Sequence, residues 1–373
     1  MDWYYTAGGA QQGPVSEEQL KQLKTSGQLA EETMVWREGM SDWVPYSEGL
    51  FSAEAAPAQE TVPVPEGTVD YSQRREEFLS GIQNEKIRDI VSELGAGPYQ
   101  WNSVFPDPEK FGNKGHTKNK AVWLKKVEPL FGELLFPGEE ILIATSGIFC
   151  SFAEQYFLGW MSTLINRTAF LFTNYRIIMI HMDSKNQPLQ MKWHIPYDQV
   201  KKFKTSGLSA AITFKLKDNK SFTFTSIPKP DRKALKVFVD EMSTKVEKED
   251  FRIPFHQCRD NLCPTCFRPV PPKTYTCENC QEEFIQPWKP AVMSLCLPCL
   301  GDFYLGHRGL GAMEAFGYII IILALVAGFL EGDSEGVIAF VVVIVITHIS
   351  DAFLTLHMAK KGLIPVKMAW KAH

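Results

Sequence analysis

The sequence predicts a multidomain α+β protein. It comprises a small α+β domain, a β-barrel closed by a C-terminal helix, a cysteine-bearing ribbon and a C-terminal two-helix transmembrane hairpin. Three observations predict this. Short β-rich segments separated by turn signals fill Gly138 to Pro228. Seven of the eight cysteines crowd between Cys258 and Cys299. Ala315 to Leu330 and Gly336 to Ser350 contain no Asp, Glu, Lys or Arg. A length of 373 residues asks for two or three domains. The boundaries expected are 1–51 for the first domain, 52–70 for a linker, 71–126 for a helical and irregular segment, 127–250 for the barrel, 251–290 for the ribbon and 291–373 for the hairpin.

The net charge of -4 argues against a protein that wraps nucleic acid, but it conceals a segregation. Residues 1–70 carry twelve acids and three bases, whereas Lys185 to Lys236 carries twelve bases and three acids. The first ten residues are polar and aromatic, unlike a secretory signal, so a cytoplasmic start is expected. Trp3-Tyr4-Tyr5, Gly13-Pro14, a short helix over Ser16 to Leu23, Gly27, Val35-Trp36 and Trp43 resemble the bacterial variant of the GYF domain. That resemblance implies capture of a proline-rich peptide on flat aromatic faces, with Trp3, Tyr5, Trp36 and Trp43 as candidates. Val15, Leu23 and Gln28-Leu29 stand where that family places aromatics, so much of the usual peptide surface is missing. The competing reading, which the small size of the domain favours, makes the tryptophans its core. Pro57, Pro63 and Pro65 mark the following segment as a spacer, with Thr61 to Pro65 as a less favoured internal ligand.

Phe78, Ile82, Ile87, Ile90, Val91 and Leu94 recur at helical spacing over Tyr71 to Leu94, and Gly95 and Gly97-Pro98 supply stop signals. Residues 98–126 read as irregular and receive no role. Strands are expected at Ile141 to Phe149, Ala169 to Phe172, Ile177 to His181, Met191 to Ile195, Val200 to Thr205, Ile212 to Leu216 and Phe222 to Thr225. Lys229 to Val246 follows with a helical pattern. This strand set, its closing helix and the turn Phe172-Thr173-Asn174-Tyr175-Arg176-Ile177 resemble the bacterial PH-like family. The lysines of this region, among them Lys201, Lys202, Lys204, Lys215, Lys217 and Lys220, suit contact with anionic lipid; solvated strand faces would look the same. Ser151 to Asn166 is too apolar for a solvated loop and reads as a helix on the barrel or a membrane-dipping element.

Cys263-Pro264-Thr265-Cys266 and Cys277-Glu278-Asn279-Cys280 have the spacing of two facing zinc knuckles. Four sulfurs would close the coordination sphere of a structural Zn2+. Cys258, Cys296 and Cys299 are expected not to be ligands. Acids outnumber bases around the cluster, so no nucleic-acid role is expected.

Both uncharged stretches reach spanning length when extended through Met313 and through Leu356. Arg308, Lys360, Lys361, Lys367 and Lys371 flank them, and Glu331 to Glu335 joins them, so the positive-inside rule puts both termini in the cytoplasm. Leu300 to Gly311, with Phe303-Tyr304-Leu305-Gly306, and Asp351-Ala352-Phe353 resemble a two-transmembrane hairpin domain, a family that commonly has glycine where Cys299 stands. Glu314, His348 and Asp351 are the ionisable groups near the bilayer, candidates for an ion relay or for pairing across the hairpin.

No phosphate-cradling loop, nucleophile elbow or metalloprotease motif is present, and an enzyme is not expected. The function expected is that of a membrane-anchored cytoplasmic adaptor, placed in a bacterial inner membrane. It would bind a protein or peptide through the N-terminal module. The alternatives are a transport or channel subunit assembled as a homo-oligomer through the hairpin, and an enzyme with an unrecognised site.

Overall fold

The computed structural model describes residues 70–207, 210–246, 253–332 and 334–371, and, of the N-terminal stretch, residues 3–7, 10–16, 19–20, 23–24, 29–30, 32–37 and 43–46. The expected linker, apart from Asp70, lies outside the described residues, as do Gly27 and Gln28. The chain divides into two compact units, Met1–Val64 and Pro65–His373.

In the first unit, β1 (Trp3–Ala7), β2 (Ala10–Val15), β3 (Met34–Arg37) and β4 (Val44–Pro45) form an antiparallel sheet in the order β2-β1-β3-β4. Ser16 and Gln19 exchange side-chain and backbone hydrogen bonds at 2.8 and 3.2 Å, a capping box that starts the helical turn carrying Leu20. Trp3, Leu20, Leu29, Val35 and Tyr46 form the core.

The second unit starts with helices α1 (Tyr71–Ser80), α2 (Glu85–Ser92), α3 (Trp101–Val104), α4 (Lys114–Val127) and α5 (Phe131–Leu134). Strands β5 (Ile141–Ile148), β6 (Arg167–Thr173), β7 (Arg176–Met182) and β8 (Pro188–Pro196) follow, with α6 (Phe152–Leu158) and α7 (Ser162–Ile165) between β5 and β6. Next come β9 (Val200–Ser206), β10 (Ala211–Leu216), β11 (Ser221–Phe224) and α8 (Lys229–Val246).

The expected barrel does not form: the strands make two open sheets, β11-β10-β9 and β13-β12-β8-β7-β6-β5, where β12 is Asp260–Leu262 and β13 is Pro269–Val270. The reason lies in the cysteine segment. β12 pairs with β8 through Asp260 opposite His194 and Leu262 opposite Lys192, and so takes the edge of β8 that closure would need. The sheets pack through side chains such as Phe170 and Phe224, ring centroids 4.6 Å apart, and their backbones meet at the bridge of Ile148 with Thr225. Gly147 permits that approach, since a Cβ there would fall 2.4 Å from Ile227 Cδ1 and 2.9 Å from the Thr225 carbonyl.

Both faces of the larger sheet are covered, which explains why every residue of β7 is buried. Ala144, Leu171, Ile178 and Ile180 face Trp101, Phe105, Trp123 and Leu124 of the helical layer. Residues 98–126, without a role by sequence, therefore form part of that layer. Lys120 pins it in place, its buried ammonium donating to Asp231 Oδ1 at 2.8 Å and to the Val104 carbonyl at 2.7 Å. Thr145 donates to the other Asp231 oxygen at 2.6 Å.

The Thr173-to-Arg176 turn is locked in the same way. Arg176 grips Glu139 with two bonds of 3.0 Å and donates to the Leu134 carbonyl at 2.6 Å. Thr173 Oγ1 accepts from the Tyr175 and Arg176 amides, and Asn174 Oδ1 accepts from the Glu140 amide at 2.9 Å.

Helices α9 (Trp288–Cys296), α10 (Leu300–Leu305), α11 (Arg308–Leu330) and α12 (Ser334–Ala359) complete the chain. α11 and α12 are long and apolar enough to span a membrane, and their side chains are largely exposed along the central stretches. Gly301 lets α10 approach α9 and α12, because a Cβ there would lie 2.3 Å from Ser294 Oγ and 2.6 Å from Thr355 Cγ2. Leu305, Leu310, Leu354, Met358, Ala359 and Ile364 join one continuous core with Phe172, Trp193 and Phe214 of the sheets and Leu235 of α8.

Candidate metal centre and membrane-facing surfaces

The two cysteine knuckles face each other. Cys263 Sγ lies 3.6 Å from Cys280 Sγ, Cys266 Sγ lies 3.6 Å from Cys277 Sγ, and all four sulfurs fall within 4.8 Å of one another. A disulfide would need about 2.05 Å. Four sulfurs at about 2.3 Å around one tetrahedral ion stand roughly 3.8 Å apart, so the spacing fits a metal. Both knuckles are built alike. Phe267 donates its N–H to the Cys263 carbonyl and Gln281 its N–H to the Cys277 carbonyl, and both donors have positive φ. The cysteine cluster is thus geometrically able to coordinate a metal ion. Cys258 lies apart, its sulfur 3.3 Å from Gln199 Oε1. Cys299 has a φ of 82°, the conformation for which glycine is suited. Its thiol is pushed up to about 11 by burial and then by the carboxylates of Glu314, Asp351 and Asp302.

The end of the second apolar helix is fastened to the sheet domain by Lys361. Its ammonium donates to both Glu154 carboxylate oxygens at 3.0 and 3.1 Å, and also to the Phe149 carbonyl and Asn166 Oδ1. The Lys361 carbonyl accepts from Trp193 Nε1 at 2.9 Å. Glu154 is held by a capping box with Ser151 at the start of α6. Burial lowers the Lys361 pKa, and Glu154 opposes that shift. Sequence reasoning places Lys361 among the flanking topological charges and misses this role, because its partners lie some 200 positions away in the chain.

α6 and the turn after it expose aromatics beside α12. Tyr156 is 74% and Trp160 69% exposed, and the Phe157 ring stands 6.4 Å from that of Phe353. Trp288, Val292 and Leu295 form a second exposed apolar row, at helical spacing on α9. The lysines lie on the smaller sheet and its turn: Lys201, Lys202, Lys204, Lys215, Lys217 and Lys220 are all exposed. Lys202 stands directly opposite Lys215 across β9 and β10. Like charges in that relation repel.

The aromatic residues chosen from the N-terminal sequence separate between two faces. Trp3 is fully buried and Tyr5 packs against the same core. Tyr4 pairs with Trp36 across β1 and β3 on the opposite face, ring centroids 5.8 Å apart, and Trp36 lies 6.3 Å from Trp43. Tyr4 therefore joins the half-exposed row in place of Trp3 and Tyr5; strand alternation was the signal that could have found it.

Glu314 and Asp351 converge on Asp302 of α10, with carboxylate oxygens within 4.8 Å of one another. His348 does not pair with Asp351. Its Nε2 is 2.9 Å from the Tyr318 hydroxyl and its Nδ1 donates to the Leu295 carbonyl at 2.7 Å.

Comparison with known proteins agrees with this architecture. Residues 3–48 match the family model described as GYF domain 2, and residues 135–241 the model described as Bacterial PH domain. The chain therefore carries a GYF-like and a bacterial PH-like domain, both of them types of interaction module and not of catalyst. No curated protein matches the chain. Among solved structures, the C-terminal domain of an unknown protein from Leishmania infantum aligns at 14% identity over 33% of this chain and 97% of that one, with a TM-score of 0.23.

Proposed function

We propose that the chain is a membrane-anchored adaptor. In this reading the apolar hairpin is the anchor, the PH-like domain is held at the membrane surface, and the GYF-like unit takes a protein or proline-rich peptide partner through Tyr4, Trp36 and Trp43. The cysteine cluster holds a structural Zn2+, and both chain ends lie on the cytoplasmic side. The observation that carries this reading is the Lys361 junction: a buried ion pair joins the end of α12 to the α6 region, which fixes the PH-like domain to its anchor. Phe157 beside Phe353 of α12 supports this reading, as do the exposed Tyr156 and Trp160, since amphipathic Tyr and Trp are favoured at a membrane interface. PH domains are associated with membrane lipids, and each well-placed lysine near an anionic surface contributes about 1 kcal/mol.

The test is reconstitution of the full chain into neutral and anionic vesicles, with amine labelling of Lys202, Lys204 and Lys215. Protection in anionic vesicles alone, lost at high salt, is the expected result. Equal labelling in both sinks the lipid contact. Titration of a proline-rich peptide against the same preparations should quench tryptophan fluorescence in the wild type and not in Trp36→Ala; no response in either removes the peptide role.

A further inference from the structure

Three helices that are not adjacent in sequence each send one carboxylate to the same point: Asp302 from α10, Glu314 from the second turn of α11 and Asp351 from α12. Asp302 is completely buried and Asp351 is 7% exposed. The two aspartates are held in place by different groups. Asp302 Oδ1 lies 3.2 Å from His307 Nδ1, and Asp351 Oδ2 accepts the Cys299 N–H at 3.1 Å. The remaining oxygens, Asp302 Oδ2, Glu314 Oε2 and Asp351 Oδ1, are buried and have no hydrogen-bond partner. Among the described residues no lysine or arginine pairs with any of the three. Arg308, the nearest in sequence, donates instead to the Trp370 carbonyl at 3.1 Å. Three acids thus converge on a buried site with one histidine beside them. Leaving such oxygens unpaired is costly, and the cost falls if something positive lies between them.

We propose that Asp302, Glu314 and Asp351 form a binding site for a calcium-sized divalent cation at the base of the hairpin. The donor set is oxygen only, which suits hard ions better than the thiophilic metal that the cysteine cluster favours. The choice of ion follows from reach and burial. Bonds of about 2.3–2.6 Å let one Ca2+ reach oxygens up to about 5 Å apart, and a buried site disfavours Mg2+, which gives up its waters reluctantly. The oxygens here lie within 4.8 Å of one another. A bound ion would tie α10, α11 and α12 together at the end where they meet the sheet core, and it would do so whether or not the chain serves as an adaptor.

The experiment uses the full chain, with its zinc retained, in zwitterionic nanodiscs at neutral pH, because anionic lipid itself binds Ca2+. Calorimetric titration with Ca2+ should give one site per chain, and thermal unfolding should shift upward with Ca2+ and less with Mg2+. Asp351→Asn and Asp302→Asn should each weaken Ca2+ binding at least ten-fold, while substitution of an exposed acid of the helical layer, Asp89→Asn, leaves it unchanged. Glu314→Gln, at the half-buried member, repeats the test where either aspartate variant misfolds. No Ca2+ binding by the wild type at millimolar concentration overturns the site, as does affinity that is unchanged in folded Asp302→Asn, Asp351→Asn or Glu314→Gln.

Discussion

Two junctions at the base of the hairpin use buried charge in opposite ways. At Lys361 one ammonium meets one carboxylate, a carbonyl and an amide oxygen, so the charge is neutralised and its donors are satisfied. At Asp302, Glu314 and Asp351 three like groups meet, and an oxygen of each stays without a partner. The first arrangement holds the fold, since removing one member strands the other. The second is costly while the acids are ionised, and a bound cation would relieve it. The cysteine cluster resembles the second in kind: four potential thiolates converge where one metal ion could bind them.

That parallel gives the largest expected effect. Cys277→Ser, or a strong chelator, should remove a metal whose apparent binding energy is on the order of 10 kcal/mol. Metal content should fall from one zinc per chain to none, and hydrogen exchange should rise across the cysteine segment and β12. A chain that keeps its zinc would deny the cysteine assignment.

Lys361→Met comes next. It leaves Glu154 buried without its cation and should cost about 3–5 kcal/mol, read as a lower midpoint in denaturant or heat. Asp302→Asn, by contrast, relieves repulsion and should not destabilise the ion-free protein; a matching loss at both sites would erase the distinction between the junctions. The same logic sets the acid limb of stability. Burial alone would raise Glu154 and Asp231, but Lys361 with the Ser151 hydrogen bonds, and Lys120 with His116, together outweigh it and hold both carboxyls below their ordinary values of 4.5 and 3.8. A carboxyl depressed in the folded state contributes stability that is complete above its unfolded pKa and is lost as the pH falls through its folded value. Unfolding should therefore ease below about pH 4, and less steeply in Lys361→Met.

The smallest effect is at the surface. Lys202→Ala removes one of two like charges directly opposed across β9 and β10 and should stabilise the protein by about 0.2–1 kcal/mol, while weakening association with anionic vesicles. Loss of stability without loss of binding would make the lysine face a solvated surface only.

Much of this architecture was legible from local pattern. Seven strands fall where β-rich runs alternate with turn residues, and the Lys217-to-Lys220 turn joins β10 to β11 as its polar composition requires. The knuckles and the two apolar helices announce themselves by spacing and by the absence of charge. The open sheets were not legible, because nothing in β8 records that Asp260 to Leu262 will take its edge. Nor was Asp302, which by sequence is one acid beside a glycine and becomes part of a cluster only when α10 folds against α11 and α12.

By itself, then, the sequence determined most of the elements: which runs are strand, which are helix outside residues 98–126, where cysteines could hold a metal and what can enter a membrane. These follow from side-chain periodicity and local ligand spacing, properties that act over a few residues. The tertiary structure decided what the elements share. It opened the sheets, merged the PH-like core with the base of the hairpin, buried Lys361 against Glu154 and gathered three acids at one point. Each depends on contacts between residues far apart in the chain, and their burial, which alone makes charge expensive, exists only once the chain has folded.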